Sequence, residues 1–355
     1  MGSEEQAGIL EEAFGFAAEQ RHYLRKAVDQ GDLLAALRCA LRLANELRSS
    51  QLTPESYYKL YAVVAWEMQH LASLAAETGR HGLSLQEVYE LVQHEGSALP
   101  RMYLLVTIGV VYAQSRPTDA AEVLDDIASM LCSVQHPVRG LFLRYYLLQS
   151  LKDKLLPLLG IRGTLQYLLA NLRECVSLWS RLRLEGTSSW PERRGSKPGV
   201  SDRMGSRSST STSPRVPGSD ALEQGNLEAW LPAGAVAPER LETWQLDRLR
   251  HTLRLLIGAH LMHIARLPQL TVELHTEVVL PEALRLSTTA EDPAGQAYLL
   301  WSFVEVFADN FHLQTLDRVL AACSQVHRVV DLRLLLRHLL RRLVAHKRST
   351  AASES

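Results

Sequence analysis

The chain has 355 residues, room for two or three ordinary domains or one elongated repeat architecture. Apolar residues make up 46% and charged residues 22%, a composition that can bury a core along most of its length. Thirty-eight basic residues nearly cancel thirty-nine acidic ones, and the formal charge of -1 argues against a polyelectrolyte role such as coating nucleic acid.

The N-terminal stretch, Met1 to Gln20, is acidic and carries no cleavable-signal pattern. Gly2 raises the question of myristoylation, but Gln6 stands where that motif wants Ser or Thr. A first helix is expected from Glu4 to Gln30, broken by Gly31. Leu33, Leu34, Leu37, Ala40, Leu41, Ala44 and Leu47 then recur at steps of three and four, the stripe of an amphipathic helix. Thr53-Pro54-Glu55 is a start signal: Thr53 can accept from a free backbone N–H, and Pro54 at the first helical position has no N–H to strand. The helix that follows carries Tyr57, Leu60, Tyr61, Val64, Met68 and Leu71 on one side, and Gly79 and Gly82 end it.

A further helix is expected over about Leu85 to Gly96. Pro100 opens the next, which is apolar on every side (Met102 to Val106, Ile108, Val110, Val111) and so must be buried on several faces, with Arg116-Pro117 closing it. Two more span about Thr118 to Ser133 and Pro137 to Leu156, and another runs from about Leu165 to Leu184. The composition then turns rich in Ser, Gly, Pro and Arg and cannot bury enough apolar surface to offset chain entropy. Residues 186–238 are therefore read as a disordered insertion. Helical periodicity resumes near Glu239 and holds to about His346, punctuated by Pro268, Pro281 and Pro293 into four or five helices.

A dozen or so helices with short connections and no convincing strand predict an all-α protein. Each Val-Val pair, Val329-Val330 included, sits in a helical window. Antiparallel helix pairs stacked into a solenoid are the natural arrangement, and without a crisp repeat period the degenerate HEAT type is expected. The organisation read from the sequence is one solenoid segment over 1–185, the insertion over 186–238, the solenoid resumed over 239–348, and a frayed tail over 349–355.

Chemistry-bearing motifs are missing. No phosphate loop, dinucleotide-binding glycine motif, nucleophile elbow, zincin pair or calcium loop occurs, so no catalytic or cofactor-binding residue is assigned and no cofactor is expected. Cys39, Cys132, Cys175 and Cys323 are isolated, without a CxxC pair, and suit a reducing cytosol. Cys132 and Cys323 sit among apolar helical residues and are read as core. His260 and His263, at i and i+3, could share a metal; the plainer reading is one buried and one exposed histidine, since no Cys, Asp or Glu nearby completes a ligand set. Glu122, Asp125 and Asp126 read as a solvated helix face. The C-terminal helix pairs an apolar side (Leu332, Leu335, Leu336, Leu339, Leu340, Leu343) with Arg328, Arg333, Arg337, Arg341, Arg342, Lys347 and Arg348. It is read either as the last core helix with a solvated face or as a contact for an anionic membrane.

Two segments are unusually specific. In Leu99-Pro100-Arg101-Met102-Tyr103-Leu104-Leu105, an arginine opens an otherwise greasy helix at the end the macrodipole does not favour, so its guanidinium could pair with a carboxylate of this chain or of a partner. In Gln135-His136-Pro137-Val138-Arg139-Gly140 through Arg144 to Leu148, two arginines line a second apolar helix, and Gly140 permits close helix approach. Arg139 and Arg144 are expected to pair internally and lock neighbouring helices together.

These residues resemble the large α-solenoid subunit of retromer, the vacuolar protein sorting-associated protein 35 family. The family's hallmark is a Pro-Arg-Leu-Tyr-Leu motif, matched by Pro100, Arg101, Tyr103 and Leu104, with Met102 in place of the usual leucine, a swap that conserves volume. Leu52-Thr53-Pro54 with Ser56-Tyr57-Tyr58, Tyr89 to Gln93, Gln135 to Leu148 and Phe311 to Leu316 extend the resemblance over most of the chain outside the insertion. The resemblance implies a non-enzymatic cytosolic scaffold, peripheral to endosomes, that sorts transmembrane cargo. It further implies binding of the arrestin-like subunit, vacuolar protein sorting-associated protein 26, around Pro100, Arg101, Met102, Tyr103 and Leu104, with Arg101 needed for the contact. A sorting nexin, a Rab-family GTPase and cargo tails are further implied partners, without assigned residues. The family continues for more helices than this chain has, so the metallophosphoesterase-like subunit that binds there is not an expected partner. The alternatives kept open are a truncated paralogue that lost assembly and a peripheral membrane protein held by the basic C-terminal helix.

Overall fold

The computed structural model describes residues 3–49, 51–78, 84–185, 241–290 and 292–353. Among them there is no strand, and the fold is a stack of helices. The first eight are α1 (Ser3–Asp29), α2 (Leu33–Asn45), α3 (Pro54–Thr78), α4 (Leu85–Gln93), α5 (Ala98–Ser115), α6 (Ala120–Leu131), α7 (Pro137–Leu151) and α8 (Leu155–Glu185). After residues 186–240 come α9 (Leu241–Ala265), α10 (Val272–Leu274), α11 (Leu280–Thr289), α12 (Pro293–Val306), α13 (Asp309–Cys323) and α14 (Leu332–Ser353). The expected insertion over 186–238 and the stop at Gly79 and Gly82 lie outside the described residues.

Local chemistry sets the boundaries. Gly31 has φ 69°, the left-handed conformation that ends a helix; Asp32 N–H then reaches back to the Ala27 carbonyl at 3.0 Å. The Asp32 carboxylate accepts from Ala35 N–H at 2.9 Å and starts α2, so the connection is only Gln30, Gly31 and Asp32. Thr53 Oγ1 accepts from Ser56 N–H as α3 begins at Pro54. Gly160, at φ 65° and ψ 176°, is non-helical and divides α8 into two helical pieces that meet at a kink.

Successive helices pack as hairpins (α1 with α2, α5 with α6, α7 with α8, α11 with α12, α13 with α14), and alternate helices pack along the stack (α1, α3, α5, α7, α9). This is the solenoid the pattern predicts. α5 lies at its centre: fourteen of its eighteen residues are buried, against α2, α3, α4, α6 and α7. Burying each large apolar side chain contributes about 1.5–3 kcal/mol, so α5 is the main hydrophobic pillar of the N-terminal part. α8 and α9 pack directly on each other across the 186–240 connection.

Several expectations are corrected. In α2 the buried face is Leu33, Ala36, Leu37, Ala40, Leu43 and Ala44; Leu34 is exposed and Leu41 only half-buried, because α1, α3 and α5 cover a face turned slightly from the leucine stripe. α5 starts at Ala98, so Pro100 is its third residue, still inside the turn whose N–H groups have no intrahelical acceptor. Pro281 does not separate two helices: the chain runs from α10 through a π-helical turn, His275–Val279, straight into α11, with Pro281 among its first residues. Val329 and Val330 are in the turn before α14, and Val329 is 75% exposed. Cys132 is exposed at the end of α6, whereas Cys323 is buried as expected. α14 runs through to Ser353 rather than fraying at 349.

Candidate partner-binding site

Residues 94–97 connect α4 to α5, and Arg101 N–H makes an early bond of α5 to the Ser97 carbonyl at 3.0 Å. The Arg101 guanidinium turns back and donates to the Glu95 carbonyl at 2.8 Å. The macrodipole objection to an arginine here is met locally, because a backbone carbonyl of the preceding turn receives it. Pro100, Met102, Tyr103 and Leu104 are all buried. Tyr103 has no exposed surface and packs 5.2 Å from the Tyr146 ring and 6.4 Å from that of Tyr61, while Phe142 joins Tyr57 and Tyr61 at 5.0 and 5.1 Å. Burial holds the Tyr103 phenol well above its ordinary pKa. Of the five motif residues, only Arg101 is partly exposed, and it has no carboxylate partner among the described residues.

The second segment is a set of internal staples. His136 caps α7, its Nδ1 accepting from Arg139 N–H at 3.4 Å, and Pro137 follows at the first helical position. The Arg139 guanidinium donates to the Arg48 carbonyl, tying α7 to the end of the α2 hairpin. Gln135 is gripped by Arg181 of α8, which reaches its carbonyl at 2.7 Å and its Oε1 at 3.0 Å. Gly140 is where α7 and α8 close: a Cβ there would stand 2.9 Å from Leu178 Cδ1 and 3.1 Å from the Val134 carbonyl oxygen.

Arg144 is almost wholly buried. Its Nη1 donates to Asn171 Oδ1 at 3.0 Å, and its Nη2 lies 3.3 Å from Cys132 Sγ and 3.7 Å from Glu174. Asn171 Nδ2 donates to His260 Nε2 at 2.9 Å, and His260 Nδ1 donates to the Leu256 carbonyl at 2.7 Å. Burial pushes the His260 pKa down to about 4, and it pushes the neighbouring Cys175 thiol up to about 12. Both His260 nitrogens are thus committed within the core, and no group of three metal-binding side chains occurs among the described residues. His263 is half-buried; Glu122, Asp125 and Asp126 are exposed, as expected.

The two segments meet. A cleft of about 340 Å³ opens where α5 and α7 begin, lined by residues 96–99 and 133–136 with Arg48 and Arg139. No acidic residue lines it; Arg101 is not part of the lining, and the Glu95 carbonyl to which it donates belongs to the residue just before Gly96, which is. Two arginines beside two helix starts suit a carboxylate or a turn of partner backbone. Arg48 was missed from the sequence: it lies ninety-one residues from Arg139, and no local pattern marks the pair.

Against known proteins, residues 9–355 match the family model described as vacuolar protein sorting-associated protein 35. The chain is 34% identical over 346 residues to vacuolar protein sorting-associated protein 35 of Dictyostelium discoideum, covering 96% of this chain and 38% of that protein. It is 33% identical over 343 residues to vacuolar protein sorting-associated protein 35C of Arabidopsis thaliana, covering 94% and 37%. With the Schizosaccharomyces pombe protein of the same family name the identity is 28% over 366 residues, covering 99% and 37%. The chain therefore spans a little over a third of the length of these relatives, and with a family model matched over nearly all of it and Pro100-Arg101 set at the start of a buried central helix, it belongs to the vacuolar protein sorting-associated protein 35 family.

Proposed function

We propose that this chain acts as a solenoid arm of a retromer large subunit, a non-enzymatic scaffold in endosomal protein sorting. In this reading the arrestin-like subunit, vacuolar protein sorting-associated protein 26, meets the chain at the start of α5, beside the cleft where α5 and α7 begin. The observation that carries this reading is Arg101. It opens the most buried helix of the N-terminal part, and its four motif neighbours are locked in the core. Its guanidinium is anchored by one carbonyl and has donors to spare. Pro100, Met102, Tyr103 and Leu104 act in this reading by fixing where Arg101 stands, and Arg48 and Arg139 extend the basic edge. A sorting nexin, a Rab-family GTPase and cargo tails complete the proposed assembly. No helix among the described residues is long and apolar enough to cross a membrane, and endosomal association is proposed to come through partners.

The test is calorimetric titration of the arrestin-like subunit into the wild-type chain and Arg101→Ala, with thermal melts of both. Binding by wild type that is lost in a variant melting normally is the expected result. No binding by folded wild-type protein sinks the reading. A variant that binds normally but melts early favours a second reading, in which Arg101 is an internal staple for the α4–α5 turn.

A further inference from the structure

We propose that the cleft between the starts of α5 and α7 holds the carboxylate of one aspartate or glutamate of the arrestin-like subunit, clamped by Arg48 and Arg139; the inference rests on the reading that this subunit meets the chain at the start of α5. Arg48 comes from the end of the α2 hairpin, and Arg139 lies in the first turn of α7. The cleft is not an end of the stack. α1 and α3 pack before α5, and α9 packs after α7. α8 is already seated beside the cleft, where Arg181 holds the Gln135 carbonyl. The neighbours that the solenoid itself supplies are in place on both sides.

The cleft holds donors that lack acceptors. Arg48 Nη1 donates to Asn45 Oδ1 at 3.2 Å, and Arg139 Nη2 donates to the Arg48 carbonyl, so both guanidiniums meet only uncharged oxygens among the described residues. Arg139 Nε is buried with no acceptor among those residues. Each guanidinium carries five N–H groups, and most of them are unspent. The backbone adds two more donors. Ser97 gives α5 no side-chain cap, and Pro100 has no N–H, which leaves the Ala98 and Leu99 N–H groups without acceptors among the described residues. Both residues line the cleft, at the positive end of an eighteen-residue helix. Two cations, two amides and a helix dipole, with no acidic side chain in the lining, select an anion. The paired oxygens of a carboxylate match the guanidinium fork. The size selects a single side chain with its flanking backbone. A volume of about 340 Å³ is less than one turn of helix fills, at about 10 Å across and about 5.4 Å long.

The test is calorimetric titration of the arrestin-like subunit into the full chain at low and high salt. Arg48→Gln is the clean variant, because this side chain is exposed and bonds only Asn45. It is expected to lose about tenfold in affinity, with a shallower salt dependence and an unchanged Tm. Arg48→Glu is expected to lose at least about a hundredfold. Ala98→Pro removes one amide donor at the first helical position, where proline is tolerated, and is expected to weaken binding several-fold with Tm unchanged. Arg139→Gln also removes the bond to the Arg48 carbonyl, so it is read through a double-mutant cycle. One Asp→Asn or Glu→Gln variant of the subunit is expected to weaken binding to wild type and to cost little more against Arg48→Gln or Arg139→Gln. Wild-type affinity in Arg48→Gln, Arg48→Glu and Ala98→Pro, with binding still lost in Arg101→Ala, overturns the carboxylate clamp and leaves the arrestin-like contact standing. A scan in which no acidic residue of the subunit couples to either arginine overturns the clamp in favour of a backbone turn. Binding that requires a phosphorylated subunit overturns it in favour of a phosphate. No binding by folded wild-type chain takes down the contact and the clamp together.

Discussion

Arg25 grips Glu67 with two nitrogens, Nη2 at 2.8 Å and Nε at 3.2 Å, although Glu67 is wholly buried in α3 and Arg25 stands half in solvent on α1. Arg21, one turn earlier, reaches the same carboxylate at 2.7 Å. The bridge is asymmetric: if Glu67 is lost, both arginines can turn to water, but if the arginines are lost the carboxylate stays buried and alone. Glu67→Leu should therefore melt close to wild type, and Arg21→Ala with Arg25→Ala should melt lower by at least about 5 °C. Equal melting of the two variants in calorimetric scans would show that the carboxylate finds water from α3.

Asn171 links Arg144 to His260 and so ties α7, α8 and α9 together. Asn171→Leu leaves a buried guanidinium and a buried imidazole each short of a partner, with an expected loss of about 3 kcal/mol in urea unfolding. His260→Phe in the same background should cost less than it does alone, because the partner it deprives is already gone.

Acid should unfold the chain early. Burial holds both His260 and His275 down to about 4 in the folded state, while the unfolded chain titrates near 6.5. Between these values the unfolded state binds more protons, so stability is fully present above about pH 6.5 and falls as pH drops toward 4, by about 1.4 kcal/mol per pH unit for each histidine. Urea midpoints across that range give the slope. His275 lies against Phe303, Phe307 and Phe311, and neither ring nitrogen has a hydrogen-bond partner. His275→Leu should raise stability at pH 7 by roughly 1 kcal/mol and remove about half of the acid slope.

Gly140→Ala should destabilise by about 1–3 kcal/mol, because the new methyl meets a backbone oxygen as well as Leu178. Shortening the movable neighbour with Leu178→Val should recover only part of the loss. Full recovery would mean that α7 shifts freely away from Val134.

The helical order was legible because turn chemistry is local: Gly31 ends the helix before it, and Thr53 and Pro54 start the one that follows. The burial of α5 was legible for the same reason, since no side of it is polar. What failed to read through depends on neighbours in space. Leu34 and Leu41 fit the α2 stripe, but the positions of α1, α3 and α5 decide which leucines face inward. Pro281 looked like a break, yet the π-helical turn before it accommodates the missing N–H within a continuous run. In the candidate site, Arg101 was visible as an anomaly, while Arg48 became part of it only through a fold that brings distant segments together.

The packing of α8 on α9 reaches beyond the residues it joins. Trp179 Nε1 donates to the Arg250 carbonyl at 2.9 Å, Arg250 stacks over the Trp179 ring and pairs with Asp292 at 2.6 Å, and Arg173 pairs with Glu282 at 2.8 Å. These contacts join the two flanks of residues 186–240 directly. With that joint in place, lengthening the covalent link between the flanks costs little closure entropy, and joining the pieces raises their effective concentration. Cut there, the two pieces should complement each other like a split protein, and a permuted chain opened at that point should retain the same core.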